Sequence, residues 1–231
     1  MIKLPFTDRR EAGHVLGRCL AESGFDVKEN AIVLGLARGG VPVAAEVASE
    51  LRLPLDVVVV RKLGVPQNKE LAMGAVAGGR IQVLDKQLIA ELRIAPNEVE
   101  KVAAEAIETA IRRERYYRAE RAAPALHNWT VILVDDGLAT GASMLAAVHH
   151  VDSFRPKMVI AAAPVGTEQA CSHLKPFTDA CFCLATPEEF LAVGQWYEDF
   201  GQVSDDDVRQ ILDQYYRRAG PPLTTRRAEV I

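Results

Sequence analysis

The chain has little of what marks a disulfide-stapled, membrane-spanning or nucleic-acid-binding protein. It has four cysteines in 231 residues, and Cys19, Cys171, Cys181 and Cys183 form no Cys-x-x-Cys pair, so the paired spacing of zinc ribbons and redox motifs is missing. Cys181 and Cys183 alternate on one face of an expected strand, and a reduced, intracellular protein is the expectation. No apolar run reaches the roughly 18 residues of a membrane span, and the N-terminal stretch meets Asp8-Arg9-Arg10 before any signal-type segment. The expected location is the cytoplasm, with no membrane partner. A net charge of -4 gives no electrostatic case for nucleic acid, so partners are expected to be small molecules.

What the chain does have is concentrated between Val131 and Ser143, which reads Val-Ile-Leu-Val-Asp-Asp-Gly-Leu-Ala-Thr-Gly-Ala-Ser. Four apolar residues, three of them β-branched, lead into two carboxylates, a loop of small residues and an alanine-rich helical pattern. That is the pattern of a buried parallel strand, a tight turn and a helix N-terminus. Gly137 and Gly141 permit close backbone approach, Thr140 and Ser143 offer hydroxyls, and the amides opening the helix face an anion with the positive end of the dipole. Paired acids in front of an anion cradle would repel a simple phosphate, but a sugar phosphate resolves the conflict. Asp135 and Asp136 can accept from vicinal hydroxyls, or help hold Mg²⁺ through its waters, while the loop takes a phosphate on the same sugar.

These residues resemble the phosphoribosyl pyrophosphate (PRPP) motif of type I phosphoribosyltransferases: four apolar residues, two acids, two variable positions, then Ala/Thr-Thr-Gly. The resemblance implies an α/β fold with a central parallel sheet flanked by helices, a small hood and a mobile catalytic loop. It also implies that Asp135 and Asp136 bind the ribose hydroxyls and that Gly137, Ala139, Thr140, Gly141, Ala142 and Ser143 bind the 5-phosphate. A second strand, glycine turn and helix runs through Ala37-Arg38-Gly39-Gly40 and looks like the family's pyrophosphate loop, in which Gly39 and Gly40 would expose amides and Arg38 would add charge. Asp56 to Val60 is too apolar to be other than a central strand, and it ends in Arg61-Lys62, at the sheet edge where ligands bind. This pair resembles the one in orotate phosphoribosyltransferases. The polar stretch 64–70 resembles the mobile loop, with Lys69 its expected catalytic cation, and 73–83 reads as a returning hairpin.

The remaining segments read more simply. Asp8 and Glu11 form a capping-box pattern ahead of an amphipathic helix. Arg9 and Arg10 stand in its first turn, where the dipole disfavours cations, either solvated or with one of them paired to an anion. The excursion at 86–124 contains a long helix whose start signal is Pro96-Asn97 with Glu100 and which Pro124 ends. Its i,i+4 pairs Glu108/Arg112 and Glu114/Arg118 favour a solvated or subunit-facing surface over a nucleic-acid patch. His149 and His150 lie two turns along the helix after Gly141 and read as structural. The aromatics of 186–203, Trp196 and Phe200 among them, could stack on an acceptor base in a hood, cover the core or make a dimer contact. A single domain is expected over 1–219, followed by a loose tail at 220–231.

The implied function is Mg²⁺-dependent transfer of a phosphoribosyl group from PRPP to a nucleobase or base-like nitrogen acceptor, with Arg38, Arg61, Lys62 and Lys69 activating the pyrophosphate and a homodimer as the expected assembly. Ala139 stands where 6-oxopurine enzymes of the family have an aspartate base, which argues against that subgroup. The alternative is a non-catalytic PRPP-binding regulatory protein.

Overall fold

The computed structural model describes residues 3–24, 30–119 and 121–220, without the side chains at positions 69, 70, 81 and 82. The elements run α1 (Arg9–Glu22), β1 (Ala31–Ala37), α2 (Gly40–Leu51), β2 (Leu55–Val65), β3 (Asn68–Ala77), β4 (Arg80–Leu84), α3 (Lys86–Glu91), α4 (Pro96–Arg118), β5 (Thr130–Val134), α5 (Ala142–Asp152), β6 (Met158–Val165), α6 (Glu168–Leu174), β7 (Ala180–Ala185) and α7 (Asp205–Ala219). They build one seven-stranded mixed sheet in the order β4-β3-β2-β1-β5-β6-β7. Strands β2, β1, β5, β6 and β7 are parallel, whereas β3 and β4 add an antiparallel margin.

The uninterrupted apolar strands are explained by burial on both faces. Alternation sends Val33, Val57, Ile132 and Ile160 to a layer made with α1, α2, α7 and the far end of α4, and sends Leu34, Val58, Leu133 and Ala161 to a layer made with α5 and α6. Each fully buried aliphatic side chain contributes roughly 1.5–3 kcal/mol over exposure. This sandwich fixes the carboxyl edge of the parallel strands, from which the loops after β1 and β5 project side by side.

The stretch 64–70 forms the tip of the β2–β3 hairpin, turning over Pro66 and Gln67, and Leu63, Val65 and Met73 are buried against Ile94, Val99 and Ala103 and anchor both strands to α4. Two local expectations about α4 are corrected. Helix α4 starts at Pro96 as expected, but its capping glutamate is Glu98, not Glu100, accepting from the Ala95 amide at 3.1 Å, and the helix ends at Arg118, with Ala119 left-handed (φ 45°), before Pro124 is reached. Its arginines are not all solvated: Arg118 pairs at 3.1 Å with Asp56, which is 1% exposed. Burial pushes the Asp56 carboxyl up while Arg118 pulls it back. At the N-terminus Asp8 does cap α1, accepting from the amides of Arg10 and Glu11, whereas Glu11 reaches past it to the Thr7 amide. The tail beyond Gly220 lies outside the described residues.

Candidate active site

Strand β5 ends in Val134 and delivers Asp135 and Asp136 to the carboxyl edge of the sheet. The Asp136 carboxylate takes a charge-assisted hydrogen bond from Arg9 Nε at 2.9 Å, with both side chains largely covered (15% and 11% exposed). Tyr197 donates its hydroxyl to the Asp136 carbonyl at 2.6 Å, and the Asp136 amide donates to Asp135 Oδ1. Burial and then the charge of Asp136 hold the Asp135 carboxyl well above the usual carboxylate range. Burial also raises Asp136, with Arg9 opposing.

The loop after these acids is fastened from behind. Leu138 is buried, donates its amide to Val165 and accepts from Thr167 through its carbonyl, each at 2.9 Å. The Thr167 hydroxyl donates to the Ala139 carbonyl at 2.9 Å. With those carbonyls turned inward, Ala139 and Thr140 stay exposed, and Gly141 enters α5 at φ 74°, a conformation that favours glycine. The result is an exposed turn in front of the α5 N-terminus, where the positive end of the helix dipole favours negative charge. The side chain of Ser143 is half-covered beside it.

The loop after β1 lies directly against this one, and its Ala37–Arg38 peptide is cis. A Cβ at Gly39 would stand 2.1 Å from Asp136 Oδ2, and one at Gly40 2.5 Å from the Val134 carbonyl, so these positions accept no side chain without displacing the acids. On the far side of Arg38 a basic group gathers around one carboxylate. Asp205, at the start of α7, lies 3.8 Å from Arg38 and 3.3 Å from Arg113, and it accepts from the Tyr117 hydroxyl at 2.6 Å. Arg61 belongs to the same group: burial and the charges of Arg113 and Arg112 lower its pKa while Asp205 raises it. Its Nε atom is buried with no hydrogen-bond partner, a donor that a bound anion would satisfy.

The expected site residues are thus distributed unevenly. Asp135, Asp136, the 137–143 turn, Ala37, Arg38, Gly39 and Gly40 come together, and Arg61 is linked to Arg38 only through the charge of Asp205. Lys62 is exposed and lines, with Arg61, a groove between the hairpin and α4, and the Lys69 side chain lies outside the described residues. Phe200 reaches the site, with the Arg9 guanidinium 3.8 Å from its ring centroid, whereas Trp196 packs on Phe190 at 6.2 Å. The segment 186–203 rests on the acid loop, since a Cβ at Gly137 would collide with Val193 at 2.4 Å. His149 and His150 stack edge-on with Phe177 and Phe154, respectively. Arg113, Tyr117 and Asp205 were not singled out by the sequence, and Tyr197, expected only as one of the aromatics of 186–203, instead donates to the Asp136 carbonyl. For Arg9 there was one signal, a cation in a helical first turn.

The two acids offer only oxygen donors, the set a hard divalent cation such as Mg²⁺ prefers. They are too few to hold one alone, so substrate and water oxygens would have to complete the shell.

Residues 10–198 match the family described as phosphoribosyl transferase domain. Two Mycobacterium tuberculosis proteins, named "Putative phosphoribosyl transferase MT0597" and "Putative phosphoribosyl transferase Rv0571c", are each 40% identical over 238 residues, which cover 98% of this chain and 53% of theirs. The chain spans about half the length of the curated relatives it matches. The crystal structure of TT1426 from Thermus thermophilus superposes with a TM-score of 0.76 at 43% identity, covering 92% of this chain and 99% of that one. No helix among the described residues is long and apolar enough to cross a membrane.

Proposed function

We propose a reaction from one premise: the chain belongs to the phosphoribosyl transferase domain family. The reaction is transfer of a phosphoribosyl group from PRPP to a nitrogen of a nucleobase or base-like acceptor, with release of pyrophosphate. The observation that supports it best is the packing of the loop after β1 on the loop after β5, with the Gly39 backbone against Asp136 and Arg38 next to it in the chain, together with an Arg61 Nε that has no hydrogen-bond partner.

Asp136 and Asp135 accept from the ribose hydroxyls, and Arg9 orients Asp136 and offsets part of the rise that burial imposes on its carboxyl. The 137–143 turn and the first amides of α5 take the 5-phosphate. Arg38, the Gly39 and Gly40 amides and Arg61 hold the diphosphate, Arg113 adds charge behind them, and Lys62 and Lys69 supply the hairpin's cations. As the bond between C1 and the diphosphate oxygen breaks, positive charge builds on the sugar in an oxocarbenium-like state and negative charge on the leaving group. Fixed guanidinium and amide donors favour that separation without reorganising, and one such donor is typically worth about 10²–10³ in rate. The acceptor nitrogen then bonds to C1 as the diphosphate leaves, and its proton passes to solvent. Phe200, packed on Tyr197 at 5.1 Å, offers the acceptor an aromatic surface. Mg²⁺, when bound by the acids and diphosphate oxygens, would neutralise part of the leaving group's charge. The working form is a cytoplasmic homodimer.

The test is pyrophosphate release from PRPP and Mg²⁺ across a panel of bases, with Asp135→Asn/Asp136→Asn as control. Release that requires one base and is lost in the control is the expected result. Tight PRPP binding without turnover on any acceptor would instead make the chain a PRPP-binding regulator.

A further inference from the structure

The cysteines that have no motif in the sequence meet in the fold. Cys181 and Cys183 are alternate residues of β7, so their side chains leave the same face of that strand. Helix α6 lays Cys171 across them. The three sulfurs all lie within 4.8 Å of one another, with 2.8 Å between Cys171 and Cys183. All three residues are half-buried, at the margin of the sheet that β7 forms, and none of them touches the crevice.

We propose that Cys171, Cys181 and Cys183 form a site for a thiophilic metal ion, Zn²⁺ being the best fit. A Zn–S bond of about 2.3 Å places tetrahedral thiolate sulfurs roughly 3.8 Å apart, a spacing these sulfurs reach by small rotations of their side chains. A disulfide would use two sulfurs and strand the third, whereas a metal ion uses all three. Thiolates select soft and borderline ions over Mg²⁺, so this site and the oxygen-donor site in the crevice would not compete for one ion. The fourth position is left to water at the open side of the sheet edge. Three thiols bind as three thiolates, releasing up to three protons to solvent, and Lys175 supplies a positive charge beside Cys171.

The site has a structural consequence. Cys183 Sγ lies 2.9 Å from where a Cβ on Gly166 would stand, and the next residue, Thr167, both caps α6 and holds the Ala139 carbonyl. An ion tying α6 to β7 therefore braces the back of the 137–143 turn.

The experiment uses the full chain, reduced and stripped with chelator, and titrates it with Co²⁺ as a spectroscopic probe. One Co²⁺ per chain with thiolate-to-cobalt charge-transfer absorption, bleached by Zn²⁺, is the expected result. Cys171→Ser, Cys181→Ser and Cys183→Ser should each weaken binding at least tenfold, and Cys19→Ser should leave it unchanged. Should a serine variant fold poorly, alkylation of the unaltered protein gives a second readout, in which Zn²⁺ protects all three cysteines. Absence of the charge-transfer bands, binding indifferent to Cys181→Ser, or a Cys171–Cys183 disulfide that persists in place of bound metal would each overturn the assignment.

Discussion

The two banks of the crevice are built in opposite ways. The acidic bank is a single run of chain, 135–143, whose shape follows from its own residues and a few ties to 165–167. The basic bank is dispersed: Arg38, Arg61, Arg113 and Asp205 come from four separate elements and meet only through α4 and α7. A contiguous bank can be read from a string of letters. A dispersed one exists only once the sheet has brought its pieces together, and its members look like ordinary surface charges beforehand.

Removing the acids should give the largest effect. Asp135→Asn/Asp136→Asn is expected to lower pyrophosphate release by about 10³ or more, because ribose orientation and charge complementarity fail together. A loss of less than tenfold would show that this bank is not the sugar's grip. On the basic bank, Arg38→Ala should cost about 10²-fold in kcat and Arg113→Ala about tenfold, a donor on the leaving group against a charge behind it. Equal effects would break the ranking.

Stability should move the other way from activity. The Asp135 carboxyl titrates above its unfolded value of 3.8, so the folded chain binds more protons between the two values. Its stability should therefore decline as pH rises through that window and level off above it. Asp135→Asn is expected to abolish that part of the decline and to raise the melting temperature by about 2–4 °C, equivalent to roughly 1 kcal/mol in a chain of this size. Melting curves of the two proteins across acidic to neutral pH give the difference directly, and a lower melting point in the variant would contradict it. The smallest effect is expected for Asp205→Asn, which frees Arg38 and Arg113 from a weakly placed carboxylate. PRPP binding should tighten about two- to threefold by calorimetry; weaker binding would mean that Asp205 positions the arginines rather than competing for them.

Much of the frame was legible because burial leaves a local trace. The apolar runs at 31–37 and 131–134 could only be covered strands, and Gly39, Gly40 and Gly137 stand where the contacting loops leave no room for a Cβ. Other features had no local trace. The hairpin tip at 64–70 is polar in sequence, yet it is held by Leu63 and Val65 packing on a helix some thirty residues further on. Arg118 has an i,i+4 partner in Glu114, the usual sign of a solvated pair, but its neighbour across the fold is the buried Asp56. Arg9 was ambiguous for the same reason: its partner is 127 residues away.

That long-range ion pair has a cost for recognition. Any hydroxyl that takes the Asp136 carboxylate must compete with a guanidinium already seated on it, so a measured affinity reports the difference between two bonds. Ligands with a ribose alone gain little from the exchange. On the proposed reading, those that also bring a diphosphate to the arginines would recover more than they displace, and selectivity for a sugar phosphorylated at both ends would follow from that subtraction.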